Sequence, residues 1–508
     1  MSTNTRFLIL NPADDVMIAL QDFPKGEKVN HIELLDPVPF GHKIALRAVA
    51  SGQPVKRYGQ IIGFATQDIA AGQHVHMQNL EFREFDKDYR FSEDYEPTKV
   101  VDEPDTFMGF VRPDGRVATR NYIGILTSVN CSATVAHAIA DQFRRDIRPE
   151  ALADFPNVDG VVALTHGVGC GIDSSGEGLK VLQRTIAGYV RHPNFAGLLI
   201  IGLGCETNQI PALMKAQALE ETANLRAFTI QAVGGTPKSI AKGVELIKSM
   251  LPEANKVART PVPVSHLTIG LQCGGSDSFS GITANPVLGA AVDILVRNGG
   301  TAILSETPEI YGAEHLLTCR AATPEVGQKL VNVFEWWEDV CHRNNASMNN
   351  NPSAGNKKGG LTTVLEKSLG GVAKGGTTGL MEVYDYAEPV EAKGLVFMNT
   401  PGYDPMSATG QVAGGANIIC FTTGRGSAFG SVPSPSLKLA TNTTLWTRQQ
   451  DDMDINCGSV IDEGRDIRDL GREFYEMIIR CASGEPSKSE LYGYGQNEFV
   501  PWQPSVIC

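Results

Sequence analysis

The stretch Cys273-Gly274-Gly275-Ser276-Asp277-Ser278-Phe279-Ser280-Gly281-Ile282-Thr283-Ala284-Asn285-Pro286 puts a thiol, a carboxylate, an amide and four hydroxyls into one turn-forming segment. Its glycines let the backbone approach a ligand closely, and the helix start that follows favours an anion. Alone, such a loop is better explained as an ordinary strand-to-helix connection around a buried cysteine. Other lone cysteines sit in comparable places: Asn130-Cys131-Ser132, Gly169-Cys170-Gly171 and Gly204-Cys205-Glu206. Thiolates, imidazoles and carboxylates are ligands for iron, manganese or zinc, so Cys131, Cys170, Cys205, Cys273, Glu206 and Asp277 are candidate ligands.

Basic residues complete the chemical inventory. His42 and Lys43 are adjacent, and His74 and His76 flank Val75, so on a strand the latter two share a face. Such a pair can bind a metal, although exposed strand histidines are commoner. Lys357, Lys358 and Arg425 lie in polar or glycine-rich loops and could neutralise a carboxylate, Arg being suited to bidentate pairing. A lysine with a depressed pKa could also act as a general base.

The elements that must position these residues follow a change of pattern along the chain. Residues 5–80 hold short apolar or alternating runs separated by Asn-Pro, Pro-Lys-Gly and Ala-Gly-Gln turns, which predicts a small all-β domain. Residues 82–105 are rich in Asp, Glu, Tyr and Pro and read as a linker; 110–119 reads as a hairpin. From Tyr122 strands alternate with helices: strands at 122–128, 158–165, 197–201 and 226–231, helices at 132–147, 178–190, 208–221 and 237–251. That order predicts a parallel sheet with helices on both faces, whose ligands bind beyond the C-terminal strand ends. Cys131, Cys170, Cys205 and Cys273 all fall at such ends. Beyond 286 the alternation is less regular, with helices predicted at 286–297, 310–320, 324–342 and 466–482 and strands at 301–305, 395–399 and 418–422.

With 508 residues, several domains are expected, because single cores stop growing at roughly 250–300 residues. A net charge of −13 argues against nucleic acid or an anionic membrane as partner, so an anionic substrate would need a local cationic site. No apolar run approaches the roughly 20 residues of a membrane span and no secretory leader is evident, so a cytoplasmic location is expected. Ten cysteines with no C-x-x-C spacing, reduced in that compartment, are neither a disulfide framework nor a zinc ribbon. Gly202-Leu203-Gly204-Cys205-Glu206-Thr207 lacks the third glycine of a dinucleotide fingerprint, and Gly424-Arg425-Gly426 through Gly430 misses the spacing by one, which counts against an NAD-type oxidoreductase. A sugar-binding protein without catalysis would have no need of thiols at strand ends.

The chain resembles the altronate/galactarate dehydratase family of sugar-acid dehydratases. The resemblance is carried by Gly41-His42-Lys43, Gly169-Cys170, Ile200 through Glu206, Cys273-Gly-Gly-Ser-Asp277 with Ser280 through Pro286, Pro352 through Lys357, and Phe421 through Gly426. Asp68 through His76 and Glu309 through Leu317 are more like the altronate than the galactarate enzymes; Ala354 stands where a proline is usual, and Gly167-Val168 where a more aromatic pair is common. The resemblance implies a multidomain fold: an N-terminal β-clip domain of the SAF type (1–84), a linker (85–105), an α/β domain with a parallel sheet (106–262) and a Rossmann-like α/β catalytic domain (263–508). It implies a metal-dependent hydro-lyase acting on D-altronate, with galactarate or another hydroxy acid as the alternative, using Fe2+, Mn2+ or an iron–sulfur cluster. The ligands implied are Cys170, Cys205, Cys273 and Glu206 or Asp277, with His42 reaching in from the β-clip domain. Lys43 or Lys357 is the implied base, and Asp277 joins the catalytic set. Ser276, Thr283, Asn285, Asn356 and Arg425 are the implied substrate contacts. The expected partners are a small sugar acid and a second copy of the chain in a homodimer, with neither nucleic acid nor membrane.

Overall fold

The computed structural model describes residues 6–84 and 89–504. The N-terminal part is all β, as the turn-punctuated pattern predicts. Strands Phe7–Leu8, Val16–Ala19, Lys43–Ala45 and His74–Val75 form one antiparallel sheet, and Pro54–Arg57, Gln60–Ala65 and Leu80–Glu81 another. Lys43 pairs with Val75 and Ile44 with His74. That register continues His42 opposite His76, and the two-residue strand period puts His74 on the same face.

Residues 89–105 form neither helix nor strand, but they are fastened to the C-terminal part. The Ser92 and Asp94 amides donate to the Thr318 and Cys319 carbonyls, and the Val101 amide donates to the Arg297 carbonyl. The described part of the expected linker is thus a strap along the C-terminal domain, and its residues 85–88 lie outside the described residues. The expected hairpin is present as Thr106–Val111 against Val117–Ala118, extended by Arg259–Pro263.

The middle part has a parallel sheet in the spatial order Gly160–Leu164, Tyr122–Thr127, Phe195–Gly202, Leu225–Thr229. Helices Ala133–Ala140 and Thr236–Ala254 bury apolar residues against one face. Glu177–Val190 covers the other and packs on helix Asp404–Ala413 of the next domain, so one apolar cluster joins Val181, Leu182 and Ile186 to Val412 and Ile419.

The C-terminal sheet has seven parallel strands in the order Leu380–Tyr384, Gly394–Met398, Thr301–Leu304, Thr268–Cys273, Ile418–Thr423, Ser436–Ala440, Ile455–Asn456. Strands Gly394–Met398 and Ile418–Thr423 are buried along their whole length, which their apolar runs anticipate. The chain leaves Thr268–Cys273 toward Thr301–Leu304 on one side, and later enters Ile418–Thr423 on the other. The strand order reverses between those neighbours, and the crevice outside their C-terminal ends is where open α/β sheets bind ligands. Cys273-Gly274 and Gly424-Arg425 lie there.

Three predicted helices are shorter than expected. Residues 310–320 yield only the turn His315–Thr318, because Glu306 and Gly312 adopt positive φ and the segment bends to carry Glu306 and Glu309 inward. Residues 208–221 yield Ile210–Ala216, stopped ahead of Ala218 at φ 48°. Residues 132–147 yield Ala133–Ala140 and then a tighter 3-10 turn.

Candidate functional site

At the crevice, strand Thr268–Cys273 runs through the glycine- and serine-rich loop 274–283 into helix Ala284–Arg297. Asp277 organises this loop. Its Oδ1 accepts from the Phe279 amide at 3.1 Å, the Ser280 amide at 3.0 Å and the Thr441 hydroxyl at 3.0 Å; its Oδ2 accepts from Asn442 Nδ2 at 3.0 Å. Burial pushes its pKa up against these hydrogen bonds from Thr441 and Ser280. Gly424 must be glycine, since a Cβ there would run into the Asp277 carboxylate.

The neighbouring candidates are tied into the same scaffold. Asn356 Nδ2 donates to the Ser276 carbonyl at 2.7 Å, and the Asn356 side chain closes a capping box with Ser353. Thr283 donates to the Thr441 carbonyl at 2.7 Å. Asn285 donates to the Gly370 carbonyl at 2.8 Å and accepts from the Thr422 hydroxyl at 2.7 Å. Ser276, Thr283, Asn285 and Asn356 are all buried. Outside them a cavity of about 210 Å³ is lined by Phe40, Asp277, Lys358, Arg425, Asn442 and Arg448, among others. Lys358, Arg425 and Arg448 are exposed, so the cavity has a cationic rim. Lys357 is half-buried on the short helix Ala354–Lys358 beside it.

The N-terminal domain brings three histidines to this rim. Ligand atoms of His42, His74 and His76 lie within 4.8 Å of one another. His42 Nδ1 stands 3.0 Å from His74 Nε2, and His42 Nε2 is 3.3 Å from the Lys358 carbonyl. The His74 and His76 rings stack with centroids 5.4 Å apart. Burial depresses all three, and neighbouring cationic groups add to it at His74 and His76, which fall to about 4 and about 3, so at neutral pH the imidazoles are uncharged. His76 Nδ1 is buried without a hydrogen-bond partner. Converging neutral imidazoles and an orphaned ring nitrogen are a fitting donor set for a divalent cation.

Beneath the histidines lies a buried ionic cluster. Lys43 Nζ donates to the Gly360 carbonyl at 2.6 Å and to Glu366 at 2.9 Å, while Arg57 Nη1 donates to Glu366 at 2.5 Å. Burial pushes Lys43 down to about 8 although Glu366 opposes it. Arg57 already neutralises Glu366, so the Lys43 proton is surplus charge in a fully buried place.

Cys273 is buried and faces a second cluster. Its Sγ lies 2.9 Å from Glu309 Oε2 and 3.0 Å from Lys374 Nζ; Lys374 also contacts Glu306 at 2.8 Å, and Lys367 contacts Glu309 at 2.7 Å. Burial and the two glutamates push the thiol well above its ordinary value. Burial raises Glu306 as well, whereas Lys367 and Lys374 overcome burial and hold Glu309 low. Among the described residues Cys273, Glu306 and Glu309 form the other group with metal-ligand proximity, but the Lys374 ammonium already occupies the cation position among them. The histidine trio therefore suits a metal better. Glu306, Glu309, Glu366, Lys367, Lys374 and Arg57 were missed in the sequence, where nothing but Glu309's place in a family-like string singled any of them out.

Cys131, Cys170 and Cys205 lie elsewhere, exposed at the strand ends of the middle sheet. Glu206 is buried beneath them, accepting from the Ser128 hydroxyl at 2.7 Å and the Gly204 amide at 2.6 Å. The expected metal ligands Cys170, Cys205 and Glu206 thus stand in the middle domain, and Cys273 in the C-terminal one.

Three family profiles match consecutive parts of the chain: the altronate/galactarate dehydratase SAF domain at residues 5–83, the D-galactarate dehydratase/altronate hydrolase second domain at 109–255, and the D-galactarate/altronate dehydratase C-terminal domain at 264–507. The altronate dehydratase of Bacillus subtilis (strain 168) is 35% identical over 97% of this chain and 97% of its own. The galactarate dehydratase (L-threo-forming) of Escherichia coli (strain K12) is 36% identical over 99% and 98%, and the altronate dehydratase of the same organism 33% over 96% and 97%.

Proposed function

The chain belongs to the altronate/galactarate dehydratase family and is a hydro-lyase of sugar acids; from that premise we propose that it dehydrates D-altronate to 2-dehydro-3-deoxy-D-gluconate. The observation that carries the placement of the reaction is the junction of the histidine trio with the cationic cavity at the strand-order reversal. With the edge strand Leu380–Tyr384 set aside, the C-terminal sheet has the order 3-2-1-4-5-6, which supports reading it as a Rossmann-like variant.

In this reading Arg425 and Lys358 hold the substrate carboxylate, Arg425 by paired N–H donors. Lys43, with its pKa lowered to about 8, takes the C2 proton as the C2–H electron pair becomes enediolate. Lys357 gives a proton to the departing 3-hydroxyl, the C3–O bond breaks, water leaves, and the enol product tautomerises to the ketone. Asp277 is a positioning residue that fixes the loop and Gly424. His42, His74 and His76 would hold a divalent ion, iron by our proposal, and such an ion supplies Lewis-acid stabilisation of developing oxyanion charge.

Galactarate is the second reading. Its specific support is the clustering of Lys358, Arg425 and Arg448 around one cavity, which suits a substrate with two carboxylates. The test is to purify the protein anaerobically, supply Fe2+ or EDTA, and assay 2-keto-3-deoxy acid from a panel of aldonates and aldarates. Formation of the keto acid from altronate with iron and not with EDTA is expected; absence of product from every acid would refute the dehydration reading.

A further inference from the structure

Cys131, Cys170 and Cys205 form a site of their own. The strands that precede them, Tyr122–Thr127, Gly160–Leu164 and Phe195–Gly202, are direct neighbours in the middle sheet, so the three thiols emerge from one edge. Their loops are cross-linked into one body. The Asn130 amide donates to the Val168 carbonyl at 2.9 Å, and the Asn208 amide to the Gly169 carbonyl at 3.0 Å. Asn208 Nδ2 donates to the Ser128 carbonyl at 3.1 Å, and Ser128 donates to the buried Glu206 at 2.7 Å. Gly169, with φ +104°, lies so close to the Ser128 carbonyl that any Cβ would strike it. This scaffold holds loops, not a core.

The thiols themselves are exposed, whereas Cys273, Cys420, Cys457 and Cys481 are buried. A cysteine used only for packing goes inside. Exposed thiols on three interlocked loops are instead arranged for ligation. They do not suit a single ion: tetrahedral zinc, with bonds of about 2.3 Å, needs its sulfurs within about 4 Å of each other. Among the described residues the groups whose ligand atoms all lie within 4.8 Å do not include this trio. A cubane cluster gives each sulfur its own iron and spreads them wider. Gln231 Nε2 stands 3.5 Å from Cys205 Sγ, the type of hydrogen bond that tunes cluster thiolates.

We propose that Cys131, Cys170 and Cys205 ligate a [4Fe–4S] cluster through three thiolates, leaving the fourth iron without a cysteine. Each thiol gives up its proton on ligation, and the iron and sulfide come from outside. The site is separate from the histidine trio, and its existence does not depend on the substrate reading.

The test uses the full-length chain under anaerobic conditions with ferrous and ferric iron, sulfide and dithiothreitol, followed by desalting. About four irons and four acid-labile sulfides per chain, with broad visible absorption and a paramagnetic signal after reduction, are expected. Cys131→Ser, Cys170→Ser and Cys205→Ser should each lose most of the sulfide, and the triple variant all of it, with unchanged circular dichroism. Cys273→Ser and Cys319→Ser should load as the parent does. A parent chain that binds no sulfide, that takes up only zinc, or that instead forms a disulfide among these thiols would overturn the proposal. So would a triple variant that keeps the cluster.

Discussion

Lys43 of the β-clip domain and Glu366 of the C-terminal domain form an ion pair with 0% side-chain exposure on both partners and 2.9 Å between them. Arg57, also from the β-clip domain, meets the same carboxylate at 2.5 Å. One C-terminal anion thereby anchors two N-terminal cations; His42 directly precedes the strand that begins at Lys43, and His74 and His76 flank Val75, which pairs with Lys43. Removing the anion leaves two buried cations facing each other. Glu366→Gln should therefore cost about 3–5 kcal/mol. Denaturant unfolding, together with faster proteolysis of the β-clip domain, measures it; a change within 0.5 kcal/mol would show that the anchor is not structural.

The pH dependence of that anchor has a definite sign. Lys43 and Arg57 overcome burial and hold Glu366 down at about 2, so its contribution is fully present above the ordinary carboxylate range and is lost as pH falls toward 2. Lys43 behaves oppositely to a usual paired lysine. Its folded pKa of about 8 lies below its unfolded value of about 10.4. The unfolded chain then binds more protons between those values, so stability due to Lys43 rises with pH from about 8 upward. If Lys43 is also the base, kcat/KM should rise through about pH 8. Lys43→Arg keeps a cation opposite Glu366 but cannot deprotonate, and should lower kcat by about 10²–10⁴-fold while the protein stays folded. An unchanged kcat would remove Lys43 from the mechanism.

Much of this arrangement was legible in sequence, and the gaps have physical causes. The strand-end cysteines and the Asp277 loop were readable because glycine and lone polar residues interrupt apolar runs. The shared face of His74 and His76 follows from the strand period alone. That His42 joins them depends on the Lys43–Val75 register, a long-range pairing that no local pattern encodes. Asp277's partners Thr441 and Asn442 follow strand Ser436–Ala440, which was not anticipated, since Ser436 and Lys438 disguise a fully buried strand. Glu306, Lys367 and Lys374 carry no signal in the sequence, and Glu309 only its place in a family-like string. Only folding shows that each is buried because the others are.

The depressed histidines make metal binding unusually tolerant of acid. An ordinary imidazole is half protonated near 6.5 and competes with the metal there. His74 and His76 protonate only near 4 and 3, because burial and their neighbours' charge oppose it. Affinity for Mn2+ or Fe2+, followed by calorimetry, should therefore hold from pH 7 to about 5 and fall off as pH drops through 4. His76→Ala should weaken it at least tenfold with the fold intact. Affinity that already halves at pH 6.5, or that survives loss of His74 and His76 together, would place the metal elsewhere.

Arg425 and Arg448 offer a way to separate the two substrate readings. Both line the cavity of about 210 Å³ beside Asp277 and Lys358. A single carboxylate can engage one of them bidentately, while a dicarboxylate can use both. A charge-assisted hydrogen bond of this kind contributes about 1.5–3 kcal/mol, or roughly 10–150-fold in kcat/KM. Arg425→Ala should therefore depress turnover of aldonates and aldarates alike. Arg448→Ala should depress only the aldarate, because an aldonate presents no second carboxylate to it. Steady-state kinetics on altronate and galactarate decide the matter. Equal losses on both acids in the Arg448 variant would mean that this residue shapes the cavity without reading the far end of the substrate.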